Sequence, residues 1–575
     1  MTTNGGGTQL RGPGRWLPGL AQLAGYPRGA LRSDLGAGAA VAIVLIPSVL
    51  AYSELLGVAP QLGLYSALGA MVGYALFASS RKVIVGPDTT VALLAASTIA
   101  PLAAGDPLRA AALAATLALL SALLLIAAAR FDLGAAADLL SKPVLVGYAN
   151  GAALILVVSQ LGSLAGVPLP RDAFLHKLAD FAGALPDAHA PTLALGLALI
   201  ALLLGLRAWA PRVPAALVAV AAGIAASYAL ALPDAGVAML PPLPAGLPGP
   251  ALPAFHLADL RSLVPGAIAL AFLVFAEGIV LARTLAARRR EPLDANREMT
   301  ALGVANLGAS LLGGYSVGAS GSRSITADAA GGRTQVTQWV AIAILLVFVL
   351  LLAPLVGRLP RVALAAILIV AGVAMLDLAA TRVLARLDPR SLTLSLAVSA
   401  GVLVFGVLAG VLLGIALSVA RVLIETARPR DAVLRRSPAD DRFHDLDDDE
   451  PGEAPPGVIV YRLYAPLLFP NARHVADRLR ALVDAAPEPA RCLVVDLQAV
   501  THVDVTAAEV LVDLHDELEA AGVDVRFAHA NRPLREQLAR WMPDHDLGRH
   551  RFFPSSHAAV DDYLHPPGRR ADKAE

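Results

Sequence analysis

The chain has 575 residues, and its 46 Lys and Arg are matched by 46 Asp and Glu, so no excess charge points to nucleic acid as a partner. With 56% hydrophobic and 16% charged residues and a mean hydropathy of +0.64, the composition excludes an ordinary soluble protein and indicates a polytopic membrane protein. Cys492 is the single cysteine, which excludes an intrachain disulfide and a thiolate metal cluster and fits a cytoplasmic soluble region.

Residues 1–33 are Gly-rich and then basic (Arg11, Arg15, Arg28, Arg32) and lack the cleavage pattern of a secretory signal, so they are expected to form a cytoplasmic segment. Residues 34–426 are strings of Ala, Leu, Val, Ile and Gly. A span takes about 20 apolar residues, fewer where a helix is broken inside the bilayer. Candidate spans are 34–56, 62–80, 88–101, 109–129, 136–162, 192–210 and 213–231, then 263–285, 295–313, 322–333, 335–356, 361–377, 391–406 and 408–425. Positive charge sets the orientation. With cytoplasmic termini, Arg81-Lys82, Arg130 with Lys142, Arg207 with Arg212, and Arg283 with Arg288–Arg290 fall inside, as do Arg382, Arg386, Arg390, Arg421, Arg428 and Arg430. The loop 232–260, with no Lys or Arg, falls outside; Arg171, Lys177, Arg358 and Arg361 are minority exceptions.

The two sets hold equal, odd numbers of spans, the arithmetic of an inverted repeat (34–231 and 263–426). In each set the third span is short and polar. The first opens Val85-Gly86-Pro87-Asp88-Thr89-Thr90, where Pro87 suits a first helical position and Thr89 and Thr90 are expected to cap exposed amides. The second is Gly318-Ala-Ser320-Gly321-Ser322-Arg323-Ser324, and an arginine at membrane depth costs about 3 kcal/mol on insertion scales. Matched, interrupted spans present helix N-termini with free N–H groups, which suit an anion.

These residues resemble the SulP anion transporters, the family of sulfate permeases, bicarbonate transporters and prestin. The resemblance is carried by Asp34-Leu-Gly-Ala-Gly through Pro47-Ser48 and Ala51-Tyr52, by Gly63-Leu-Tyr65, and by Tyr74-Ala-Leu-Phe-Ala-Ser-Ser-Arg81 with Gly86-Pro87. Asp294-Ala-Asn296-Arg-Glu298, Ala305-Asn306, Gly313-Gly314, Ser322-Arg323-Ser324 and Gly332-Arg333-Thr334 continue it. It implies a polytopic α-helical membrane protein of about fourteen spans in a seven-plus-seven inverted repeat, with uracil-permease-like core and gate units. It also implies a homodimer and a small anion bound near Ser322, Arg323, Gly86 and Pro87, with Ser48 at the matching first-span position; Thr89, Ser320 and Ser324 of the same broken segments complete the candidate site. Ser48 stands where the family usually has Gln, Gly321 where Phe is common, and Ala327 where Asn is common, so the choice of anion is left open.

Glu277 lies mid-span with no basic residue within one turn, and a lone buried carboxylate either takes up a proton or meets a cation. The resemblance implies H+ or Na+ symport through it; a structural Glu is the alternative. Asp88 and Asp328 are read as structural, and Asp34, Asp294 and Glu298 as fixing helix termini. Tyr52 and Tyr148 are read as packing residues or as lining of a pocket.

Residues 427–456, charged and Pro-rich with an acidic run at Asp445–Glu450, are expected to be a flexible linker. Beyond it strands and helices alternate (residues 457–566, before a tail 567–575), resembling a cytoplasmic α/β STAS domain as in anti-sigma factor antagonists. The loop Val503–Thr506 resembles the strand-to-helix loop that carries a phosphorylated Ser or Thr in those antagonists; Asp504 as a helix N-cap with Thr506 as an ordinary first-turn residue is the preferred reading, and Thr506 as a regulatory phosphosite, with a cytoplasmic protein partner at this domain, is the alternative. No Ser/His/Asp constellation, Walker loop or metal cluster is found, so neither an enzyme nor a cofactor is expected, beyond Na+ or H+ as coupling ion. The expected function is secondary active transport of sulfate, bicarbonate or a dicarboxylate across the cytoplasmic membrane by alternating access. The rivals are an uncoupled anion channel or exchanger, a nucleobase–proton symporter, and a membrane anchor for the STAS domain.

Overall fold

The computed structural model describes residues 19, 26–134, 141–169, 174–211, 213–244, 246–250, 252–253, 257–287, 293–445, 452–541 and 551–566. Expectations placed on Arg171, Arg212, Arg288–Arg290, most of residues 1–33, most of the acidic run and the tail 567–575 lie outside these residues. The chain divides into two compact units, residues 1–418 and 419–575.

The first unit is helical. Its first half holds α1 (Leu31–Leu56), α2 (Gln61–Phe77), β1 (Val85–Gly86), α3 (Thr89–Ala103), α4 (Pro107–Arg130), α5 (Lys142–Ser159), α6 (Phe174–Ala184), α7 (Ala190–Trp209) and α8 (Ala215–Ala229). Its second half holds α9 (Leu257–Ala287), α10 (Ala295–Leu311), β2 (Gly318–Ala319), α11 (Gly321–Ala329), α12 (Val336–Val347), α13 (Arg361–Met375), α14 (Leu378–Leu387) and α15 (Pro389–Phe405), and α16 (Val407–Ala427) follows. Among the described residues seven helices are long and apolar enough to cross a membrane, and five shorter apolar helices accompany them. Every apolar run anticipated from the sequence falls on a helix, and each half has a two-residue strand before its short third span.

Two short helices were not anticipated. α6 and α14 occupy the same place in each half, between the fifth and sixth long elements, and neither has a buried residue. Their apolar residues recur at helical spacing, but each is too brief to span a bilayer.

Two groups of helices share the core. One gathers α1 to α4 with α9 to α12; the other packs α5, α7, α8, α13 and α15. Helix contact without a cost in buried polar groups favours small residues, because backbones then approach closely. Gly69 on α2 and Gly308 on α10 show this: a Cβ on Gly69 would sit 2.1 Å from the Gly308 carbonyl oxygen, and one on Gly308 2.3 Å from that of Gly69.

Charged side chains bind this unit at its loops. Asp34 accepts bonds from the Arg333 and Thr334 amides (2.6 and 3.3 Å) and from the Thr334 and Thr337 hydroxyls (2.8 and 3.1 Å), so it ties α1 to the start of α12 rather than capping its own helix. Asp294 does cap α10, through the Asn296 and Arg297 amides. Glu298, wholly buried, takes bonds from Tyr74, from the Ser79 hydroxyl (3.0 Å) and from the Ser80 amide (3.2 Å), holding the loop that leads into β1. Lys82 in that loop pairs with Asp328 near the end of α11.

The second unit is an α/β sheet in the order β3-β6-β7-β8-β9. Its strands are β3 (Asp431–Val433), β6 (Val458–Leu463), β7 (Cys492–Asp496), β8 (Asp524–Ala528) and β9 (Phe552–Phe553), with a hairpin of β4 (Arg435–Arg436) and β5 (Phe443–His444). β6 to β9 run parallel through α17 (Ala472–Asp484), α18 (Val505–Ala520) and α19 (Arg532–Trp541), and α20 (Ser556–Leu564) ends the domain. Alternation along β6 divides its side chains between two apolar layers. Tyr461 and Leu463 join Val475, Leu479, Leu511 and Leu514 on one face; Val458 and Val460 join Cys492, Ala559 and Val560 on the other.

The linker expectation is corrected here. β3 pairs antiparallel with β6 from Asp431 to Val433, and Glu453 bridges Arg436. Polar composition suggested a solvated tether, but β3 adds an edge strand by its backbone while Ala432, Leu434 and Phe443 enter the core beside Val458, Val460 and Cys492.

Candidate anion site

The site is built from the two short elements. β1 and β2 pair antiparallel, Val85 opposite Ala319 and Gly86 opposite Gly318. The Ser320 amide extends the ladder to the Ile84 carbonyl at 2.9 Å. Around it, Asn306 brackets Val317 with two 3.0 Å bonds, and Gln338 accepts from the Val85 amide at 3.3 Å. Each strand runs directly into a helix N-terminus.

Neither N-terminus is capped by a side chain. Asp88 and Ser320 occupy the N-cap positions of α3 and α11 in extended conformation without a capping bond. The first intrahelical bonds run from the Ala92 amide to Asp88 and from the Ser324 amide to Ser320. The amides of Thr89, Thr90 and Val91, and of Gly321, Ser322 and Arg323, therefore have no carbonyl within their own helices. The expected capping by Thr89 and Thr90 is replaced by lateral bonds: Thr89 Oγ1 pairs with Tyr52 Oη at 2.8 Å, and Thr90 Oγ1 donates to Glu277 Oε2 at 2.8 Å. Asp88 holds the cap position without the bond, and Asp328 serves as the partner of Lys82 rather than as a cap.

Arg323 is 1% exposed, the largest fully buried side chain among the described residues. Its Nη2 donates to the Pro87 carbonyl at 2.7 Å, fastening the first turn of α11 to the residue before the α3 N-cap. Its Nε has no partner. A Cβ on Gly86 would lie 3.4 Å from Nη2, so a bare backbone at this position gives the guanidinium its passage.

The other candidates divide. Ser322 is exposed, 3.3 Å from the Ser320 hydroxyl. Ser324 is turned inward, its Oγ accepting from the Ile84 amide at 2.9 Å. Ser48, half-buried, donates to the Val44 carbonyl of its own helix at 2.8 Å. Tyr148 Oη donates to the Thr90 carbonyl at 3.0 Å. Tyr52 and Tyr148, weighed in the sequence between packing and pocket lining, thus both touch the first turn of α3. The signal for Tyr52 was its position one turn after Ser48, on the same face of α1. In the second unit Thr506 is exposed in the first turn of α18, beside Asp504, which accepts from the Ala507 amide at 2.8 Å.

Uncapped paired half-helices in a multi-pass helical bundle, followed by an α/β regulatory-type domain, define a membrane transporter. The sulfate permease family pattern matches residues 31–398, and the STAS domain pattern residues 453–559. A Mycobacterium tuberculosis protein named "Probable sulfate transporter Rv1739c" is 37% identical over 523 residues, covering 91% of this chain and 93% of that one. "Sulfate transporter 4.1, chloroplastic" of Arabidopsis thaliana is 28% identical, over 92% of this chain and 79% of its own. The fold matches the murine Solute Carrier 26 family member A9 anion transporter in the inward-facing state, with a TM-score of 0.89 at 21% identity over 97% and 96% of the two chains. It also matches the transmembrane domain of the cyanobacterial bicarbonate transporter BicA, with a TM-score of 0.59 at 23% identity over 68% of this chain and 97% of that one. The chain belongs to the sulfate permease family, a family of anion transporters rather than enzymes.

Proposed function

We propose that this protein is a secondary active transporter that carries a small oxyanion, sulfate first among the candidates, by alternating access, coupled to H+ or Na+. The observation that carries this reading is the pair of uncapped N-termini of α3 and α11, joined by β1–β2 and by Arg323 on Pro87. Free amides and two positive dipole ends suit an anion without binding it irreversibly, since hydrogen bonds to charged groups contribute about 1.5–3 kcal/mol each. Ser322, Ser320, Thr89 and Ser48 supply hydroxyls at the rim. Ser324 and Gly86 with Pro87 shape the frame behind it.

Glu277 is the proposed coupling residue. Its bond from Thr90 places a carboxylate on the first turn of α3, where occupancy by a cation and by the anion would be felt by the same helix. The protein is proposed to work as a homodimer in the cytoplasmic membrane with both termini in the cytoplasm, and Thr506 is the proposed regulatory phosphosite. The test is uptake into proteoliposomes of sulfate, bicarbonate, a C4-dicarboxylate, chloride and uracil under imposed H+ and Na+ gradients. Glu277→Gln is expected to abolish the dependence on one gradient while leaving anion binding. Dependence on that gradient retained in the variant would refute the coupling role. Currents reversing at the anion's Nernst potential in the wild type, with no gradient dependence, would make it a channel.

A further inference from the structure

We propose that α14 lies in the plane of the membrane surface and binds the phosphates of anionic lipids through Arg382, Arg386 and Arg390. The chain leaves the apolar helix α13 at Met375 and enters the next, α15, at Pro389, with the ten residues of α14 between them. None of those ten is buried. Ala380, Val383, Leu384 and Leu387 share one face at helical spacing, and Leu387 is 80% and Val383 47% exposed. Arg382 and Arg386 are one turn apart away from that face, and Arg390 opens α15. An apolar face open to the surroundings beside an arginine-bearing face is the pattern of a helix seated at the headgroup boundary.

The helix is held in place from both ends. Asp377 caps it through the Ala380 amide at 2.8 Å. Asn150 on α5 accepts from the Asp377 amide at 2.8 Å and donates to Thr381 Oγ1 at 3.0 Å. Asp388 accepts from the Arg390 amide at 3.0 Å and from Ser391 Oγ at 2.5 Å, capping α15. The two nearby carboxylates are thus each committed to a helix N-terminus. Among the described residues Arg382, Arg386 and Arg390 are all exposed, and none of them forms an ion pair. α6, which occupies the corresponding place in the first half, carries Asp180 beside Lys177 and His176, so the cationic character belongs to α14 alone. Guanidinium groups recognise phosphate as a planar fork. With α14 pinned to α5 and continuous with α13 and α15, lipid bound there would act on that group of helices.

The experiment uses the full chain in vesicles of phosphatidylcholine with or without phosphatidylglycerol. The lipids retained on the protein are counted by native mass spectrometry, a readout independent of anion uptake and so of the transport reading. The wild type is expected to retain phosphatidylglycerol preferentially. Arg382→Gln/Arg386→Gln/Arg390→Gln is expected to lose that preference, by about fivefold in affinity per arginine. The corresponding triple Lys variant, and the single Arg386→Gln should the triple Gln variant fail to fold, keep the reasoning testable: the first should retain most of the preference and the second lose about fivefold. Equal retention of the two lipids by the wild type, unchanged retention by the Gln variants, or displacement by soluble glycerol phosphate would each overturn the proposal.

Discussion

Arg323→Ala separates the role of the buried guanidinium from that of the backbone around it. In the wild type Nη2 reaches the Pro87 carbonyl at 2.7 Å, with the side chain 1% exposed. A hydrogen bond from a charged donor contributes about 1.5–3 kcal/mol, which corresponds to about 10- to 150-fold in an equilibrium constant. Truncation removes that bond and leaves the Pro87 carbonyl without it, but it also removes a buried charge whose Nε had no partner. The two effects oppose each other in folding stability and act together on the anion, which loses both the ordering of α3 against α11 and the positive field. KM for the anion transported best is therefore expected to rise by about 10-fold or more, while the thermal midpoint moves by a few degrees at most. Arg323→Lys keeps the charge without the fork and should fall between. The measurements are initial-rate uptake into proteoliposomes over a range of anion concentrations, and a melting curve of the same preparation. An unchanged KM in a correctly folded Arg323→Ala protein would refute the assignment of Arg323 to the anion site.

Three further predictions concern the second unit. Asp496 is wholly buried and meets Arg462 at 2.7 Å, Ser556 Oγ at 2.8 Å, the Gln498 amide at 3.0 Å and His529 Nδ1 at 3.1 Å, so Asp496→Ala should destabilise this unit by about 3–5 kcal/mol, read by chemical denaturation. Burial pushes the Asp496 carboxyl up, but Arg462 and the other donors outweigh it and hold it below the usual carboxylate value. Its contribution is therefore present above about pH 4 and lost as pH falls through the lower folded value, so acid unfolding in Asp496→Asn should lack that step. Burial, with the Asp524 charge beside it, pushes the Cys492 thiol up to about 12; alkylation at neutral pH should be absent in the native protein and complete in denaturant, by mass spectrometry.

The spans were legible because an apolar run of bilayer length has few other uses, and each such run became a helix. α6 and α14 escaped because ten or eleven residues, interrupted by Lys177 and Asp180 in one and by Arg382 and Arg386 in the other, fall below any span threshold. β3 and the β4–β5 hairpin escaped for a different reason. They join the second unit through main-chain bonds and three buried side chains, Ala432, Leu434 and Phe443, too few to stand out in a segment dominated by charge and proline. At the site, the broken segments and Arg323 were visible as polar residues where none should be cheap. The partner of Arg323 was not, because Pro87 is 236 residues away and contributes a carbonyl, which no side-chain pattern announces. Thr89 and Thr90 were assigned the local bonds such residues often make; Tyr52 and Glu277, brought by other helices, offered their hydroxyls lateral partners instead.

The joint between the two half-helices is largely main chain, two paired residues on each strand and one added amide, fastened by the Arg323 guanidinium on the Pro87 carbonyl and by Ser324 Oγ on the Ile84 amide. Neither Ser48, bonded to the Val44 carbonyl of its own helix, nor Gly321, with open space beside its Cα, takes part in that joint, so a substitution at either would leave its bonds in place. On the proposed function, a change of cargo would be made at such positions, as a change of fittings on an unaltered chassis.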